Sequence, residues 1–345
     1  MRAGVRWIVD RLAERAKIVR ELQRDVVRLR QRIEELETAQ GELTATARHA
    51  DRTAMQVRLV ALLDQTQRQD LERLPAILDE ARISDHVRRA VAAATLITDP
   101  YEHIVIDRLL PDDVYDLLIR AIPPSEFFED RDRIKQNLTF PMEYGPALAA
   151  SAWGYFDEVI AKRIIRPAVF EKFHEPLQGH FRSVFGDAFL DQANALPQAA
   201  SGGRLMLRRP GYHLDPHRDP KRSMLTCLMY LARAGDSEEH GTQIFRVQDD
   251  EDADYKQTYY PGAAGHACEL VKVVPYRPNT MLVFLNSRGA HGATSPADAP
   301  AALERYTYQF YVAPLNEALS TLIKSLPPER RAKWKSRAVA QAEYA

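Results

Sequence analysis

The stretch Gly211-Tyr-His-Leu-Asp-Pro-His-Arg-Asp-Pro220 decides the fold prediction for this 345-residue chain. It places His217 and Asp219 two positions apart, just before an apolar run at 224–231. Side chains on a strand alternate between its two faces, so an extended His-x-Asp pair presents both groups on the same side. The pattern therefore predicts a strand that carries two metal-ligating groups next to each other.

A third ligand of the same kind stands further along the chain. His291 follows the apolar run 280–286, which is typical of a buried strand. Two imidazoles and one carboxylate from separate strands of a barrel form the facial triad of non-heme Fe(II) oxygenases, and this triad leaves coordination positions open. The sequence therefore predicts an iron site made of His217, Asp219 and His291.

Further residues complete an ordered pattern around these three. A Thr-x-x-x-Tyr-Leu run starts at Thr226, a Gly-Thr pair ends at Thr242, and an arginine follows at Arg305. With the His-x-Asp pair and the distal histidine, this set resembles the Fe(II)/2-oxoglutarate-dependent dioxygenase superfamily, and its prolyl-hydroxylase-like bacterial branch is nearest. The resemblance spans roughly residues 101–314 and leaves 1–100 outside it. It implies an oxygenase that uses Fe(II) and 2-oxoglutarate.

A second His-x-Asp pair, His213 with Asp215, lies four residues before the first. The later pair is preferred as the ligand pair because prolines flank it and its distance to the strand at Thr226 better resembles the family. His213 is then a loop or pocket residue. Asn286 and Arg288, close to the distal histidine, are candidate contacts to the substrate or to the ligands themselves.

The arginine downstream of the histidines is the candidate anchor for a co-substrate. Arg305 and Thr307 stand at i and i+2 of a predicted strand and therefore share a face. A guanidinium group can bind a carboxylate through two parallel hydrogen bonds. The resemblance implies that Arg305 and Thr307 bind the distal carboxylate of 2-oxoglutarate, whereas Tyr212 and Arg208 could add contacts. The alternative is that Arg305 pairs with Glu304 at a sheet edge.

Composition narrows the class of protein. A formal net charge of −1 gives no electrostatic case for nucleic-acid binding. Two cysteines are too few for a disulfide framework. The N-terminus lacks the apolar core of a signal peptide, and no run of about 18 apolar residues predicts a membrane span. These features predict a cytoplasmic protein.

Residues 1–47 keep a seven-residue register. Apolar residues fill most a positions (5, 12, 19, 26, 33, 40, 47) and most d positions (8, 15, 22, 29, 36, 43). β-Branched residues at a with leucine at d favour a parallel two-stranded coiled coil, in which the polar Arg15 and Gln40 would set the register. The alternative is a single amphipathic helix that lies on its own domain.

The predicted fold class is α+β: a double-stranded β-helix (jelly roll) with buttressing helices, preceded by an N-terminal helical coiled-coil segment. The predicted parts are a coiled coil at 1–50, a helical linker or stalk at 51–98, a dioxygenase domain at 101–314 and a helical tail at 315–345. The jelly-roll core covers about 203–312, and Asp99-Pro100 is the turn at the domain boundary. Strands are predicted near 103–107, 203–209, 223–232, 241–247, 268–275, 280–286 and 305–312, and helices from 111 and near 146–160 and 162–186.

The predicted activity is hydroxylation of an amino-acid side chain, peptidyl or free, or of another small substrate. A carboxylate ligand at Asp219 favours hydroxylation over halogenation by family analogy. The rivals are a non-catalytic jelly-roll scaffold recruited through its coiled coil and a cupin-like metal-dependent isomerase. The expected partners are a small-molecule or peptide substrate and, through the coiled coil, a second copy or a partner protein. The acidic stretch 249–254 is either a contact for a basic substrate or a solvated loop.

Overall fold

The computed structural model describes residues 2–132, 137–141, 145–248, 257–286, 288–300 and 303–334. The chain divides into two compact units, Met1–Leu59 and Val60–Ala345. This boundary falls inside the segment 51–98, which the sequence predicts as a linker or stalk. The acidic stretch 249–254 and the end of the predicted tail beyond 334 lie outside the described residues.

The first unit is helical throughout. Helix α1, Arg2–Thr66, runs through it without a break, and its last turns belong to the second unit. The predicted seven-residue register therefore lies on a helix. Its apolar a and d side chains between 26 and 43 are exposed, namely Val26, Leu29, Ile33, Leu36 and Leu43.

Helices make up most of the second unit before its main sheets. They are α2 (Arg68–Ile77), α3 (Glu80–Ala93), α4 (Asp112–Arg120), α5 (Ala147–Tyr155), α6 (Arg166–Lys172), α7 (His174–Phe185) and α8 (Leu190–Asn194). A π-helical stretch, Phe156–Ile165, joins α5 to α6, so the break predicted near 161 is absent. The tail has α9 (Asn316–Ser325) and α10 (Pro328–Ala332). No described helix is long and apolar enough to cross a membrane.

Helix α3 illustrates how the sequence places these elements. The Asp79 side chain accepts a hydrogen bond from the backbone N–H of Arg82 at 3.0 Å, which caps the helix N-terminus. Ile83, Val87 and Val91 recur at four-residue spacing and are all buried. This apolar stripe turns one face of α3 inward, where the helix contacts the π-helical stretch.

The strands form two antiparallel sheets. They are β1 (His103–Ile106), β2 (Glu129–Asp132), β3 (Asn137–Thr139), β4 (Gln198–Arg208), β5 (His213–His217), β6 (Leu225–Tyr230), β7 (Thr242–Val247), β8 (Cys268–Val274), β9 (Thr280–Leu285), β10 (Ala290–Thr294) and β11 (Arg305–Pro314). One sheet has the order β1-β9-β6-β11-β4-β3-β2, and the other has the order β5-β10-β7-β8. The combination of helices with antiparallel sheets agrees with the predicted α+β class.

Both faces of the larger sheet are covered. Every residue of β6 and β9 is buried, which explains why these strands read as continuous apolar runs in the sequence. On one face, Ile244 of the smaller sheet joins a core cluster with residues of β6 and β9. On the other face, Tyr308 of β11 stacks on Trp153 at a ring-centroid distance of 5.6 Å. The metal-ligand candidates therefore lie in a domain with a buried apolar core.

Three strands, β2, β3 and β10, were not predicted as strands, and β5 was expected only around His217 and Asp219. All four are short, and β5 and β10 contain polar residues, glycine or proline instead of alternating apolar ones. Strand β4 also begins at Gln198, before the glycines at 202 and 203 from which a strand was expected. In each case the segment is extended because it pairs with neighbouring strands. The local sequence pattern does not reveal this pairing.

Candidate functional site

The three predicted iron ligands lie together in the second unit. His217 ends β5, Asp219 follows two residues later, and His291 lies within β10. All three side chains are buried, and their ligand atoms lie within 4.8 Å of one another. His217 Nε2 is 3.9 Å from Asp219 Oδ1, and His291 Nε2 is 3.7 Å from Asp219 Oδ2. Of the described parts of the chain, this is the group with metal-binding spacing.

Strand pairing brings the two imidazoles together. β5 and β10 are antiparallel, and His217 stands directly opposite His291 in their register. Directly opposite residues project from the same face, and the two ring centroids are 4.1 Å apart. The prediction that His217 and Asp219 share one strand is wrong in detail, because β5 ends at His217. A backbone bridge between Arg218 and Tyr259 keeps the chain extended up to the carboxylate.

Hydrogen bonding and burial prepare both imidazoles to bind a metal. His217 Nδ1 donates to the backbone carbonyl of Asp215 at 2.9 Å, because a carbonyl oxygen can only accept. This bond fixes the proton on Nδ1, so Nε2 carries the lone pair that can bind a metal. Burial lowers the pKa of His291 well below its ordinary value, and the nearby His217 and Arg208 lower it further. His291 is therefore neutral, as metal binding requires.

The carboxylate is held at both of its oxygens. Thr226 Oγ1 donates to Asp219 Oδ2 at 2.7 Å, and Asn286 Nδ2 donates to Thr226 Oγ1 at 2.8 Å. The Tyr311 hydroxyl donates to Asp219 Oδ1 at 3.3 Å. Asn286 thus supports the Asp219 carboxylate through Thr226, in line with its place among the candidate contacts in the sequence. Arg288, the other candidate, is exposed. Tyr311 was not singled out, although the alternation of β11 from Arg305 places it on the same face.

The alternative ligand pair lies elsewhere. His213 and Asp215 are exposed, and His213 Nε2 lies 2.7 Å from Asp215 Oδ1. The other ring nitrogen of His213 lies 3.1 Å from Thr294 Oγ1. The structure thus brings the pair at 217 and 219 to His291, and it leaves the pair at 213 and 215 at the surface.

The predicted co-substrate anchor is buried and lacks an anionic partner. Arg305 is 1% exposed, and its guanidinium carbon lies 4.3 Å from the centre of the Tyr276 ring. Its Nε and Nη1 atoms and the Thr307 hydroxyl have no hydrogen-bond partner. Glu304 instead pairs with other residues: its Oε1 atom lies 3.5 Å from Nη2 of Arg209, and its Oε2 atom accepts a hydrogen bond from the Tyr306 hydroxyl. The alternative pairing of Arg305 with Glu304 therefore does not occur.

A second arginine lies beside the first. Arg208 of β4 stands directly opposite Arg305 of β11 in the sheet, so both project from the same face. Burial lowers the pKa of Arg305 to about 10, and Arg208 adds to this effect. The guanidinium group of Arg305 nevertheless stays charged at neutral pH. Because a buried charge without a partner is strongly unfavourable, this pair indicates a site for an anionic ligand.

The triad opens into a cavity of about 120 Å³. Tyr212 lines it, and the ring of Tyr212 lies 4.8 Å from the guanidinium carbon of Arg208. Arg208 also lines the cavity, whereas Arg305 and Thr307 are not among its lining residues. The sequence suggests Tyr212 and Arg208 as additional contacts, and both residues line the cavity.

No protein-family model matches the chain, and no curated protein matches it. Solved structures do match. A Pseudomonas putida prolyl-4-hydroxylase is 15% identical, with 68% of this chain and 100% of that chain covered and a TM-score of 0.36. HygX from Streptomyces hygroscopicus, solved with nickel, 2-oxoglutarate and hygromycin B bound, is 13% identical, with 62% and 83% covered and a TM-score of 0.36. SnoK, a non-heme α-ketoglutarate-dependent carbocyclase of nogalamycin biosynthesis, is 13% identical, with 68% and 85% covered and a TM-score of 0.34.

These matches include a prolyl-4-hydroxylase and an α-ketoglutarate-dependent carbocyclase. At such TM-scores and identities, the likeness assigns no activity to this chain. The assignment of function therefore rests on the geometry of the site.

Proposed function

We propose that this protein is an Fe(II)- and 2-oxoglutarate-dependent oxygenase. The observation that carries the proposal is a buried His-Asp-His group beside a pair of buried arginines that lack an anionic partner. The first group suits a divalent metal, and the second suits an organic acid. A metal-dependent isomerase would need the first group but would leave the buried arginines unexplained.

The donor set fits ferrous iron. Two neutral imidazoles and one carboxylate, all on one side, are the ligands that non-heme Fe(II) oxygenases use. His217, Asp219 and His291 would hold the ion, and the hydrogen bonds to Asp219 would orient the carboxylate. Iron together with a keto acid supplies the oxidative chemistry, in which decarboxylation of 2-oxoglutarate is coupled to oxidation of the substrate.

The anion site fits the distal carboxylate of 2-oxoglutarate. Arg305 offers two guanidinium nitrogens without partners, and Thr307 offers a hydroxyl on the same face of β11. Charge-assisted hydrogen bonds of this kind are strong in a buried site. Tyr212 would pack along the cavity side of the acid. The task of these residues is to bind and orient the acid and to keep water away from it.

The strand arrangement supports a double-stranded β-helix for β4–β11. β4, β6, β9 and β11 lie in the larger sheet, and β5, β7, β8 and β10 lie in the smaller one. An eight-stranded chain that passes between two packed antiparallel sheets in this way is the jelly-roll arrangement. The ligands at the end of β5 and within β10 would then both lie on the smaller sheet and face the interior.

We infer that the substrate is an amino-acid side chain, peptidyl or free, or another small molecule, and that the reaction is hydroxylation. The enclosed cavity supports a small reacting group. A carboxylate ligand at Asp219 supports hydroxylation, because it occupies a metal position that a halide would otherwise take. HygX, which binds hygromycin B, is an example of a structural neighbour with a small-molecule ligand.

We also propose that α1 forms a parallel coiled coil with α1 of a second copy. The a and d side chains between 26 and 43 are exposed, although they keep the heptad register of a two-stranded coiled coil. A scaffold role alone would explain this helix, but it would not explain the buried triad.

Succinate release tests the enzymatic proposal. The full chain is incubated with Fe(II), 2-oxoglutarate and oxygen, together with pools of peptides, free amino acids and small metabolites. We expect substrate-dependent succinate release that His291→Ala abolishes and that His213→Ala, at the exposed histidine, retains. No succinate from any pool, in protein that binds metal, would contradict the proposal. Loss of release in His213→Ala but not in His217→Ala would move the ligand pair to 213 and 215.

A further inference from the structure

Strand β4 presents a row of basic residues to the cavity. Every second residue of the strand from 204 to 208 lines the cavity, namely Arg204, Met206 and Arg208. Side chains alternate between the two faces of a strand, so these three project from the same face. Among the described residues of the cavity wall, Asp219 is the carboxylate that could offset this positive charge, and it is also a candidate metal ligand. The cavity therefore contains more cationic than anionic side chains.

Arg208 is held in position but has no anionic partner. It is 6% exposed, and its Nε atom has no hydrogen-bond partner. The ring of Tyr212 supports one side of its guanidinium group. No described carboxylate forms an ion pair with it, in contrast to Arg209 beside it, which lies 3.5 Å from Glu304. A charge buried in this way favours an anion in the cavity.

Arg204 is oriented from the other side. Its Nη2 atom donates to Gln309 Oε1 at 3.1 Å, and Gln309 Nε2 donates to the Tyr311 hydroxyl at 2.9 Å. Tyr311 in turn donates to Asp219. This chain of bonds fixes Arg204 on the side of the cavity where the candidate metal ligands lie, and it leaves its buried Nε atom without a partner.

The charges of iron and 2-oxoglutarate do not offset these arginines. A ferrous ion carries two positive charges and 2-oxoglutarate carries two negative charges, so together they add none. Three guanidinium groups, those of Arg204, Arg208 and Arg305, then stand against the single carboxylate of Asp219. One carboxylate of the co-substrate can satisfy Arg305, but the excess on β4 remains. A further anionic group would offset it.

We propose that Arg204 and Arg208 form a second anion subsite, which binds a carboxylate or phosphate group of the substrate and is separate from the anchor at Arg305. This inference rests on the proposed function, because it assigns the substrate class of the same site. The preferred substrates are small molecules that carry such a group. Because a neutral analogue loses the hydrogen bonds to a charged group, it should bind roughly 10- to 100-fold more weakly.

Inorganic phosphate is the probe for the subsite. The full chain is loaded with Mn(II), saturated with 2-oxoglutarate and titrated with phosphate in a calorimeter. We expect one saturable phosphate site. Arg204→Gln and Arg208→Gln should each weaken phosphate binding by about tenfold or more and leave 2-oxoglutarate binding unchanged. Arg89→Gln, at an exposed arginine of α3, changes the net charge equally and should alter neither.

Three results would overturn the subsite. The first is phosphate that binds only when 2-oxoglutarate is absent. The second is equal phosphate affinity in wild type and both variants. The third is a loss of 2-oxoglutarate affinity in Arg208→Gln as large as in Arg305→Gln, which would assign Arg208 to the co-substrate. If Arg208→Gln does not fold, Arg204→Gln at the half-buried position and the charge-retaining Arg208→Lys decide the question.

The 2-oxoglutarate titration of the Mn(II)-loaded wild type separates the two proposals. Absence of 2-oxoglutarate binding would contradict the proposed function. Phosphate titration of the metal-loaded wild type and the two variants would then still test the subsite. Normal 2-oxoglutarate binding without phosphate binding would contradict the subsite alone.

Discussion

The carboxylate of Asp219 is the most constrained group in the cavity. One of its oxygens accepts from Thr226 and the other from Tyr311. Such partners fix a ligand in the orientation that a metal needs and tune its affinity. The arrangement separates residues that would touch the metal from residues that act only through Asp219.

Thr226→Val removes one of these hydrogen bonds while keeping the shape of the side chain. We expect the affinity for a divalent metal to fall by about 10- to 100-fold, because Asp219 loses a donor that orients it. Competition with a metal-binding dye measures this affinity. Thr321→Val, on the exposed face of α9, is the matched control and should bind metal as the wild type does. An unchanged affinity in Thr226→Val would show that the hydrogen bond does not position the ligand.

Arg305→Met tests the co-substrate anchor. The affinity for 2-oxoglutarate should fall by about 100-fold, since a buried charge-assisted pair with a carboxylate is lost. Metal affinity should stay the same, because Arg305 is not one of the candidate metal ligands. Calorimetry on metal-loaded protein measures both. Arg277→Met, at an exposed arginine, is the control. Equal 2-oxoglutarate affinity in the two variants would remove Arg305 from the anchor.

At this scale the sequence located the candidate ligands and the supporting Asn286, but not the other residues that support the ligands. His217, Asp219 and His291 stand out because their types and order match a known metal chemistry. Gln309 and Arg204 do not, because their contribution depends on the pairing of β4 with β11. That pairing is a long-range contact, which spacing along the chain does not reveal.

Helix α7 contains an ionisable side chain, His180, in an apolar environment. His180 is buried beside Phe181, and its Nε2 atom has no hydrogen-bond partner. Burial lowers the pKa of His180 to about 4, and Lys221 lowers it further. The folded protein therefore keeps this ring neutral over a pH range in which the unfolded chain binds a proton.

This difference makes stability depend on pH. Below the unfolded pKa of about 6.5 the unfolded state gains a proton, so the free energy of unfolding falls as the pH falls toward 4. One proton contributes at most about 1.4 kcal/mol for each pH unit. His180→Leu should reduce this slope, as measured by urea unfolding from pH 7 to pH 4. His103 and His291, also buried with lowered pKa, remain in both proteins, so an equal slope would contradict the assignment to His180.

Strand β9 tests the packing of the larger sheet. Leu282 is fully buried in the core cluster, so Leu282→Ala should lower the free energy of unfolding by about 2–5 kcal/mol. Leu270 on β8 is 48% exposed. Leu270→Ala should therefore change the free energy of unfolding by less than about 0.5 kcal/mol. Denaturant unfolding compares the two. Similar losses would contradict the described burial.

The predicted elements succeed where one strong local pattern dominates. β6 and β9 were predicted because they are continuous apolar runs, and α7 because its apolar residues follow a helical spacing. β10 was missed and β5 was expected only around His217 and Asp219, although these two strands carry both histidines of the candidate site. These strands contain the candidate metal ligands and residues that pair through the backbone. Neither feature produces the alternating apolar pattern by which a strand is recognised in the sequence.

At the scale of the whole molecule, α1 is the element through which we propose that two copies of the chain associate. Leu36→Lys places a charge at a d position, so the proposed dimer should dissociate to a monomer. Sedimentation equilibrium measures the mass. Thr38→Lys, at an exposed position outside the a and d seam, adds the same charge and should stay dimeric. A wild-type chain that sediments as a monomer would contradict the coiled coil.

The central claim is that one cavity binds ferrous iron and 2-oxoglutarate together. Anaerobic addition of Fe(II) and then 2-oxoglutarate to the full chain tests it through the weak visible charge-transfer band that arises when a keto acid chelates ferrous iron. We expect the band in the wild type, its loss in His217→Ala, and a higher 2-oxoglutarate requirement in Arg305→Met. Folded, iron-loaded protein that shows no band at saturating 2-oxoglutarate would contradict the account.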